Sequence, residues 1–243
     1  MHDRTPSLLP TRFHLPALLI ALVGWAEMVA LGIHFAGQHT PDPFDASVAS
    51  TAYEFIGERS ALARVLVSPS DSVTVYLVIA AVLGYGLFVR RWDVLLLGAV
   101  GPGLAIGLVE LVGKPLFGRT FPRGGLSYPS GHTVSSVAAL TVALLVVLGL
   151  LHRPRQRLLA GLIWLLLVLT LMVGLVAMRY HYLTDTFGGV GLALGVVLPC
   201  AVLVSRWTDR HSKGPATDQA ETTVRPTTRA ARHRPWTARP AGK

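Results

Sequence analysis

Six long apolar segments constrain the fold of this chain more than any other feature. Each is close to the roughly 20 residues that an α-helix needs to cross the hydrocarbon core of a bilayer. They lie near residues 15–36, 73–90, 94–113, 132–151, 158–178 and 185–204. Charged residues make up only 14% of the chain, against about 25% in a soluble globular domain. The sequence therefore predicts an all-α protein built as a six-transmembrane helix bundle.

The first apolar segment has two interpretations, because Arg4 and Arg12 precede it as they would in a secretory signal peptide. It is longer than the apolar core of such a signal and has no clear small-residue cleavage site, so we interpret it as a retained span. The predicted organisation is then a cytoplasmic N-terminal segment (1–14), a six-span domain (15–204) and a tail (205–243). The tail is basic and contains Pro and Thr with almost no aromatic residues, a composition typical of disorder.

The distribution of positive charge predicts how the bundle lies in the plasma membrane. An even number of spans places both termini on one face, and that face holds 16 of the 22 lysines and arginines. Nine of these are in the tail, so the cleaner signal is the two short basic connections, around residues 90–91 and 153–157. By the positive-inside rule both termini are cytoplasmic. The basic tail then faces lipid headgroups, so we predict membrane lipid and not nucleic acid as its partner.

The long connection of residues 37–72 falls on the opposite, extracytoplasmic face. It contains acidic residues and an apolar series between Val48 and Leu66. This pattern predicts a helix that lies in the membrane interface. A loop helix packed on the bundle fits the same pattern equally well.

Three polar clusters interrupt the spans, and all three fall on the predicted extracytoplasmic face. They are residues 114–123 after the third span, residues 128–132 before the fourth, and residues 179–185 between the fifth and sixth. Ionisable side chains at a membrane boundary cost free energy unless they are hydrated or paired, so they usually mark a functional site. The three clusters together therefore indicate one candidate functional site.

The clusters contain the groups that phosphoryl transfer needs. His132 and His181 can divide the roles of nucleophile and general acid, and Asp185, one helical turn after His181, can hold its second ring nitrogen. Ser130 and Gly131 precede a span whose N-terminal amides favour an anion, and Lys114 adds a positive charge. No carboxylate cluster suited to Mg²⁺ lies beside these groups, so we expect neither a metal nor another cofactor.

On these motifs the chain resembles the type 2 phosphatidic acid phosphatases, integral membrane relatives of the vanadium haloperoxidases, over roughly residues 94–200. The family pattern is Lys-x6-Arg-Pro, then Pro-Ser-Gly-His, then Ser-Arg-x5-His-x3-Asp. Residues 129–132 match the second motif in full, His181 and Asp185 match the end of the third, and Lys114 and Pro122 match the first. The resemblance implies that His181 attacks phosphorus to form a phosphohistidine and that Asp185 orients it. It also implies that His132 protonates the leaving oxygen and that the phosphate is held by Ser130, Gly131 and Lys114.

Two arginines of the family pattern are missing, because Phe121 and Leu175 stand at their positions. Arg119 or Arg123 can replace the first, since both flank Phe121 in a loop that contains glycine and proline. Arg179 lies one helical turn beyond Leu175 and can replace the second. We therefore expect a variant phosphate clamp made of Lys114, Arg119 and Arg179.

The resemblance implies hydrolysis of a lipid phosphate monoester or a polyprenyl pyrophosphate. Two alternatives stay open: transfer of the same phosphoryl group to a lipid or sugar hydroxyl, and a non-catalytic lipid-phosphate-binding or transport protein. Individual residues also have structural interpretations. Ser130 can simply cap a helix, Lys114 can pair with Glu110 four residues earlier, and Arg179 can be an interfacial arginine.

Overall fold

The structure is a computed structural model that describes residues 8–57, 60–121 and 124–212. Within these residues the regular structure is helical, apart from one antiparallel bridge between Thr120 and Leu126. A π-helical turn, Val109–Gly113, joins the fifth helix to the sixth. The α-helices are α1 (His14–His34), α2 (Pro43–Ile56), α3 (Ala61–Val67), α4 (Ser72–Phe88), α5 (Trp92–Leu108), α6 (Lys114–Phe117), α7 (Gly131–Leu150), α8 (Pro154–Ala177) and α9 (Leu183–Ser212).

Six helical segments of the described chain are long and apolar enough to cross a membrane. The second consists of α3 and α4 together, and the third runs from α5 through the π turn to the end of α6. The prediction of an all-α, six-span bundle is therefore confirmed. The spans are Thr11–His34, Ala61–Phe88, Trp92–Phe117, Gly131–Leu150, Pro154–Ala177 and Leu183–His211.

Helices α7 and α9 form the centre of the bundle, with 56% and 61% of their most apolar windows buried inside the protein. Helix α9 packs against α1, α5 and α7. Its contact with α1 is close because two glycines face each other: a Cβ on Gly24 would lie 2.6 Å from the carbonyl oxygen of Gly191. Small residues let the backbones of spanning helices approach in this way. The close contact fixes the N-terminal end of α9 relative to the helices around it.

Helix α2 is the loop helix that the sequence predicts in the first long connection. Asp42 caps it by accepting a hydrogen bond from the amide of Asp45, and Pro43 occupies its first turn, where a missing N–H costs nothing. The helix contacts α8 and α9, with Asp45 buried, while Phe44 and Phe55 are exposed on its surface. It is therefore packed on the bundle, and contact of its exposed surface with the membrane stays a prediction.

The last helix extends eight residues beyond the predicted end of the sixth span. Helix α9 continues to Ser212 because polar residues near its end still pack on the protein: Ser205 is buried and accepts a hydrogen bond from the amide of Leu9. Arg210 and His211 lie in its last turn, where positive charge is favourable to the helix dipole. Hydropathy therefore locates the span but not the end of the helix. The predicted tail from residue 213 onward, and residues 1–7 of the N-terminal segment, lie outside the described residues.

Candidate functional site

The two histidines meet at the end of the bundle that carries the connections α1–α2, α6–α7 and α8–α9. His132 is the second residue of α7, and His181 lies just before α9. Nδ1 of His132 is 3.3 Å from Nε2 of His181. His132 is exposed and stacks on the ring of Tyr180, whereas His181 is buried. The structure therefore brings together two residues that are 49 positions apart, in unlike environments.

Asp185 lies behind His181, on the side away from His132. Its Oδ2 atom is 3.7 Å from Nδ1 of His181 and accepts a hydrogen bond from the amide of Tyr182. A distance of 3.7 Å is too long for a hydrogen bond, and His181 Nδ1 has no hydrogen-bond partner among the described residues. The geometry matches the predicted pair in orientation, with Nδ1 facing the carboxylate and Nε2 facing His132.

A cavity of ≈ 240 Å³ opens beside the first turn of α7. Its lining includes Lys114, Glu110, Gly131 and His132. The amides of Gly131 and His132 begin the helix and have no intrahelical carbonyl to bind, so they are available to an anion. A Cβ on Gly131 would lie 3.3 Å from Nζ of Lys114 and 2.7 Å from Oε1 of Glu110. Glycine at this position therefore leaves the space between the lysine and the helix N-terminus open.

Lys114 follows the π-helical turn Val109–Gly113, a feature that is frequent at functional sites. Its Nζ is 2.6 Å from Oε1 of Glu110, an i,i+4 ion pair in which the Glu110 side chain is 48% exposed. The pairing that the sequence suggested as an alternative for Lys114 is therefore present. Because about half of the Glu110 side chain is exposed, its carboxylate can leave the lysine when another anion enters the cavity.

Ser130 occupies a different position from the one expected of a phosphate ligand. The residue is fully buried, and its hydroxyl oxygen accepts hydrogen bonds from the amide and the hydroxyl of Thr133. Its own amide donates to the carbonyl of Asp185. Ser130 thus caps α7 and ties the start of that helix to the start of α9.

Arg119 does not line the cavity beside α7, and its predicted role as part of a phosphate clamp needs correction. Its side chain has no exposed surface and forms ion pairs with Asp45 and Asp185, both at 2.7 Å. Its Nε has no hydrogen-bond partner among the described residues, but that nitrogen is buried as well. The guanidinium therefore presents no donor to a substrate at the surface. The error arose because sequence spacing places Arg119 near Lys114 but does not show which side of the loop faces inward.

Arg179 also lies apart from the cavity around Lys114 and His132. Its guanidinium carbon is 4.1 Å from the centre of the Tyr53 ring, and it lines a second cavity of ≈ 300 Å³ together with Phe121 and Tyr182. The backbone of Arg179 adopts a φ of 55°, in the left-handed region. The structure therefore does not bring Arg179 beside Lys114. Arg123, the other candidate, lies outside the described residues.

Three residues near the site escaped the sequence interpretation: Asp45, Thr184 and Tyr182. Asp45 is 74 positions from the arginine that it binds, so no local pattern connects them. Burial raises the pKa of Tyr182 to about 12, with Asp185 and Asp45 adding to the increase and Arg119 opposing it. The phenol is therefore neutral at physiological pH. Among the described residues, no group of three or more His, Cys, Asp or Glu side chains is arranged to hold a metal ion.

The fold and the site define a class first: a multi-pass membrane protein with paired histidines at the ends of two central helices. A family model described as the PAP2 superfamily matches residues 69–209, more than half of the chain, and the protein belongs to that family. Membership indicates a phosphatase-type membrane enzyme for lipid phosphates, without specifying the substrate or the mechanism. No curated protein and no solved structure gives a significant match.

Proposed function

We propose that this protein hydrolyses a phosphate monoester or pyrophosphate of a membrane lipid through a phosphohistidine intermediate. The observation that carries the proposal is the contact between Nε2 of His181 and Nδ1 of His132, 3.3 Å apart, beside the cavity that Lys114 lines. Two ring nitrogens this close to each other, one of them on a residue that lines the cavity, suit a shared phosphorus atom. His181 then acts as the nucleophile and the carboxylate of Asp185 orients its ring, as the family resemblance implies.

The reaction proceeds in two displacements at phosphorus. The lone pair on Nε2 of His181 forms a bond to phosphorus, and the bond to the lipid oxygen breaks with its electron pair going to that oxygen. His132 donates a proton to the leaving oxygen. Water then attacks the phosphohistidine, His132 takes a proton from that water, and inorganic phosphate leaves with His181 restored. Asp185 stabilises the positive charge that the ring of His181 carries in the intermediate.

Substrate entry requires the two imidazoles to move apart. A near-attack distance of about 3–3.5 Å from nitrogen to phosphorus, with a hydrogen bond of about 2.8 Å to the leaving oxygen, places the nitrogens roughly 6 Å apart or more. The unoccupied separation is 3.3 Å. His132 is the ring that moves in this proposal, because it is exposed while His181 is buried against Asp185.

The phosphate is held by Lys114 and by the start of α7. Lys114, Gly131 and His132 all line the cavity, so in this proposal the ammonium and the two backbone amides bind the phosphate; charge-assisted hydrogen bonds of this kind are among the stronger ones. Glu110 occupies Lys114 until the substrate arrives. Arg119 and Ser130 are no longer part of the proposed set of direct ligands, since both are fully buried, and Arg179 contributes only if its side chain leaves Tyr53.

The proposed location is the plasma membrane, with the site on the extracytoplasmic face and the termini in the cytoplasm. The support is the charge asymmetry along the chain: the ends of the spans opposite the site carry Arg90, Arg91 and the arginines of residues 153–157. Short loops rich in arginine stay cytoplasmic. A headgroup then enters the cavity from the outer boundary while its acyl or prenyl chain stays in lipid.

The deciding experiment is phosphate release from a panel of lipid phosphates in mixed micelles with EDTA present. The wild type is compared with His181→Ala and with His152→Ala, an exposed histidine of the α7–α8 connection. We expect wild-type turnover to survive chelation, His152→Ala to match it, and His181→Ala to lose at least about 10³-fold in rate. Unchanged activity in folded His181→Ala would refute the proposed mechanism.

A non-catalytic lipid-phosphate-binding protein is the second candidate, and one observation favours it. Among the residues that line the cavity Lys114 is the cation, and Glu110 already pairs with it, so stabilisation of a charged transition state is weaker than the sequence suggested. This alternative predicts that the wild type and His181→Ala bind a lipid phosphate equally and that neither releases phosphate. Transfer to an acceptor alcohol, the other alternative, predicts that phosphate leaves the lipid only when that alcohol is added.

A further inference from the structure

A buried network of charged groups connects the loop helix α2 to Asp185, the carboxylate that faces Nδ1 of His181. Nη1 of Arg119 donates to Oδ1 of Asp185 and to the hydroxyl of Thr184, both at 2.7 Å. Nη2 of the same guanidinium donates to Oδ2 of Asp45 at 2.7 Å. Asp45 also accepts from the amide and the hydroxyl of Thr184, at 3.1 and 2.6 Å. Three segments distant in sequence are thus joined around one arginine.

The network is enclosed on all sides by protein. The side chains of Arg119, Asp45 and Asp185 have no exposed surface, and the guanidinium lies between the rings of Phe35 and Tyr182, at 4.1 and 4.6 Å from their centres. In such surroundings removal of one partner leaves an uncompensated charge, and the hydrogen bonds that remain are strong. The positions of these groups are therefore closely fixed.

The hydrogen bonds of Asp185 determine which way its carboxylate faces. Its Oδ1 is bound by Arg119, and its Oδ2 is bound by the amide of Tyr182 while facing Nδ1 of His181 at 3.7 Å. Rotation of the carboxylate would break both bonds. Arg119 in turn is held in place by Asp45, because that carboxylate binds its other terminal nitrogen.

The net charge of the network also affects the ring of His181. Two ionised carboxylates and one guanidinium leave one net negative charge beside His181. That charge favours the positively charged ring that exists in a phosphohistidine or an imidazolium. Without Asp45 the arginine would neutralise Asp185, and the ring of His181 would face a pair with no net charge.

We propose that Asp45 and Arg119 are positioning residues for the His181–Asp185 pair, and that α2 is therefore part of the active site. The inference rests on the proposed function, since it assigns both residues a role in the same reaction. Neither residue touches the substrate. Arg119 fixes the orientation of Asp185, and Asp45 supplies the negative charge that prevents Arg119 from cancelling it.

The test compares Asp45→Asn with Asp42→Asn, the same chemical change three residues earlier, at the N-cap of the same helix. Asparagine at position 42 still caps α2, so this control should behave as wild type. For Asp45→Asn we expect kcat to fall roughly 10- to 100-fold, as when a residue that orients a directly acting group is lost. KM should change less than about twofold, because the ligands of the phosphate are untouched.

The pH profile separates positioning from a merely structural role. Loss of a buried negative charge makes protonation of the nucleophilic ring less favourable, so the acid limb of kcat/KM should move to lower pH in Asp45→Asn. The other titratable or charged groups near this ring are His132 of α7, with Lys114 and Glu110 beyond it, the flanking Tyr180 and Tyr182, and Asp185 of α9 with Arg119 behind it. These groups are the same in Asp45→Asn and in the Asp42→Asn control. A difference in the acid limb between the two variants therefore reports the charge of Asp45.

Arg119→Lys provides a second, independent measurement. Lysine keeps the charge but cannot bind two carboxylates and a hydroxyl in one plane, so kcat should fall while the acid limb moves less than in Asp45→Asn. Wild-type kcat and pH limb in folded Asp45→Asn, with His181→Ala inactive, would overturn this inference and leave the proposed function intact. An inactive wild type would instead remove the function itself. Loss of folding in both Asp45→Asn and Arg119→Lys would place the network in the scaffold alone and also overturn the inference.

Discussion

Replacement of Gly131 by alanine should disturb the proposed phosphate site without changing the stability of the fold. The new methyl group would lie 2.7 Å from Oε1 of Glu110 and 3.3 Å from Nζ of Lys114. Both atoms are ends of flexible side chains, so they can move aside. The φ angle of Gly131 is not in the left-handed region, so alanine adds no backbone strain. We therefore expect the folded protein to be as stable as wild type.

The same methyl group occupies the space in which a phosphate oxygen would contact the amides of α7 and the ammonium of Lys114. Displacement of the reacting group by on the order of 1 Å costs about 10²-fold in rate, or about 2.7 kcal/mol of transition-state stabilisation. We expect kcat/KM of Gly131→Ala to fall by roughly this factor.

The assay is phosphate release in mixed micelles, with thermal unfolding of the same preparations. Gly149→Ala is the matched control, since it changes a glycine at the other end of α7 where a Cβ meets nothing within 4 Å. It should retain wild-type activity. Wild-type kcat/KM in Gly131→Ala would refute the assignment of the phosphate to this cavity, whatever the stability of the variant.

Two further substitutions test individual roles. His132→Ala should lower kcat by roughly 10²- to 10⁴-fold, the usual contribution of general acid–base catalysis. It should also abolish the fall in activity at alkaline pH from an otherwise bell-shaped profile. An unchanged pH profile would contradict the role of His132 as the general acid. Glu110→Gln should lower KM by about two- to fivefold. The half-exposed Lys114–Glu110 ion pair contributes up to about 1 kcal/mol, which the substrate must overcome in the wild type. A raised KM would show instead that Glu110 assists binding. Both are measured as initial rates of phosphate release against lipid phosphate concentration.

The bundle and the residues proposed to be catalytic are the part that comes from the sequence. Spans are visible because an apolar run of membrane length has few alternatives. His132, His181 and Asp185 were found because each lies in a short motif with fixed spacing. The structure then brings the two histidines into contact through α7 and α9, the most buried helices of the bundle.

The environment of these residues could not be predicted, because it depends on pairs that are distant in the chain. Nothing in the first long loop distinguishes Asp45 from Asp42, although one is buried against Arg119 and the other caps α2. Likewise Arg119 and Arg179 both flank motif residues, yet Arg119 faces the interior and Arg179 faces Tyr53. Spacing along the chain gives the candidates, and only packing decides between them.

The account depends most on phosphorylation of His181, and one measurement addresses it directly. Wild-type protein is mixed rapidly with a ³²P-labelled lipid phosphate, quenched in alkali within the first turnover, and the labelled peptide is mapped. The account predicts an acid-labile label on the peptide that contains His181 and none on the His181→Ala variant. Release of phosphate with the label on another residue, or with no label at any time in the first turnover, would contradict it.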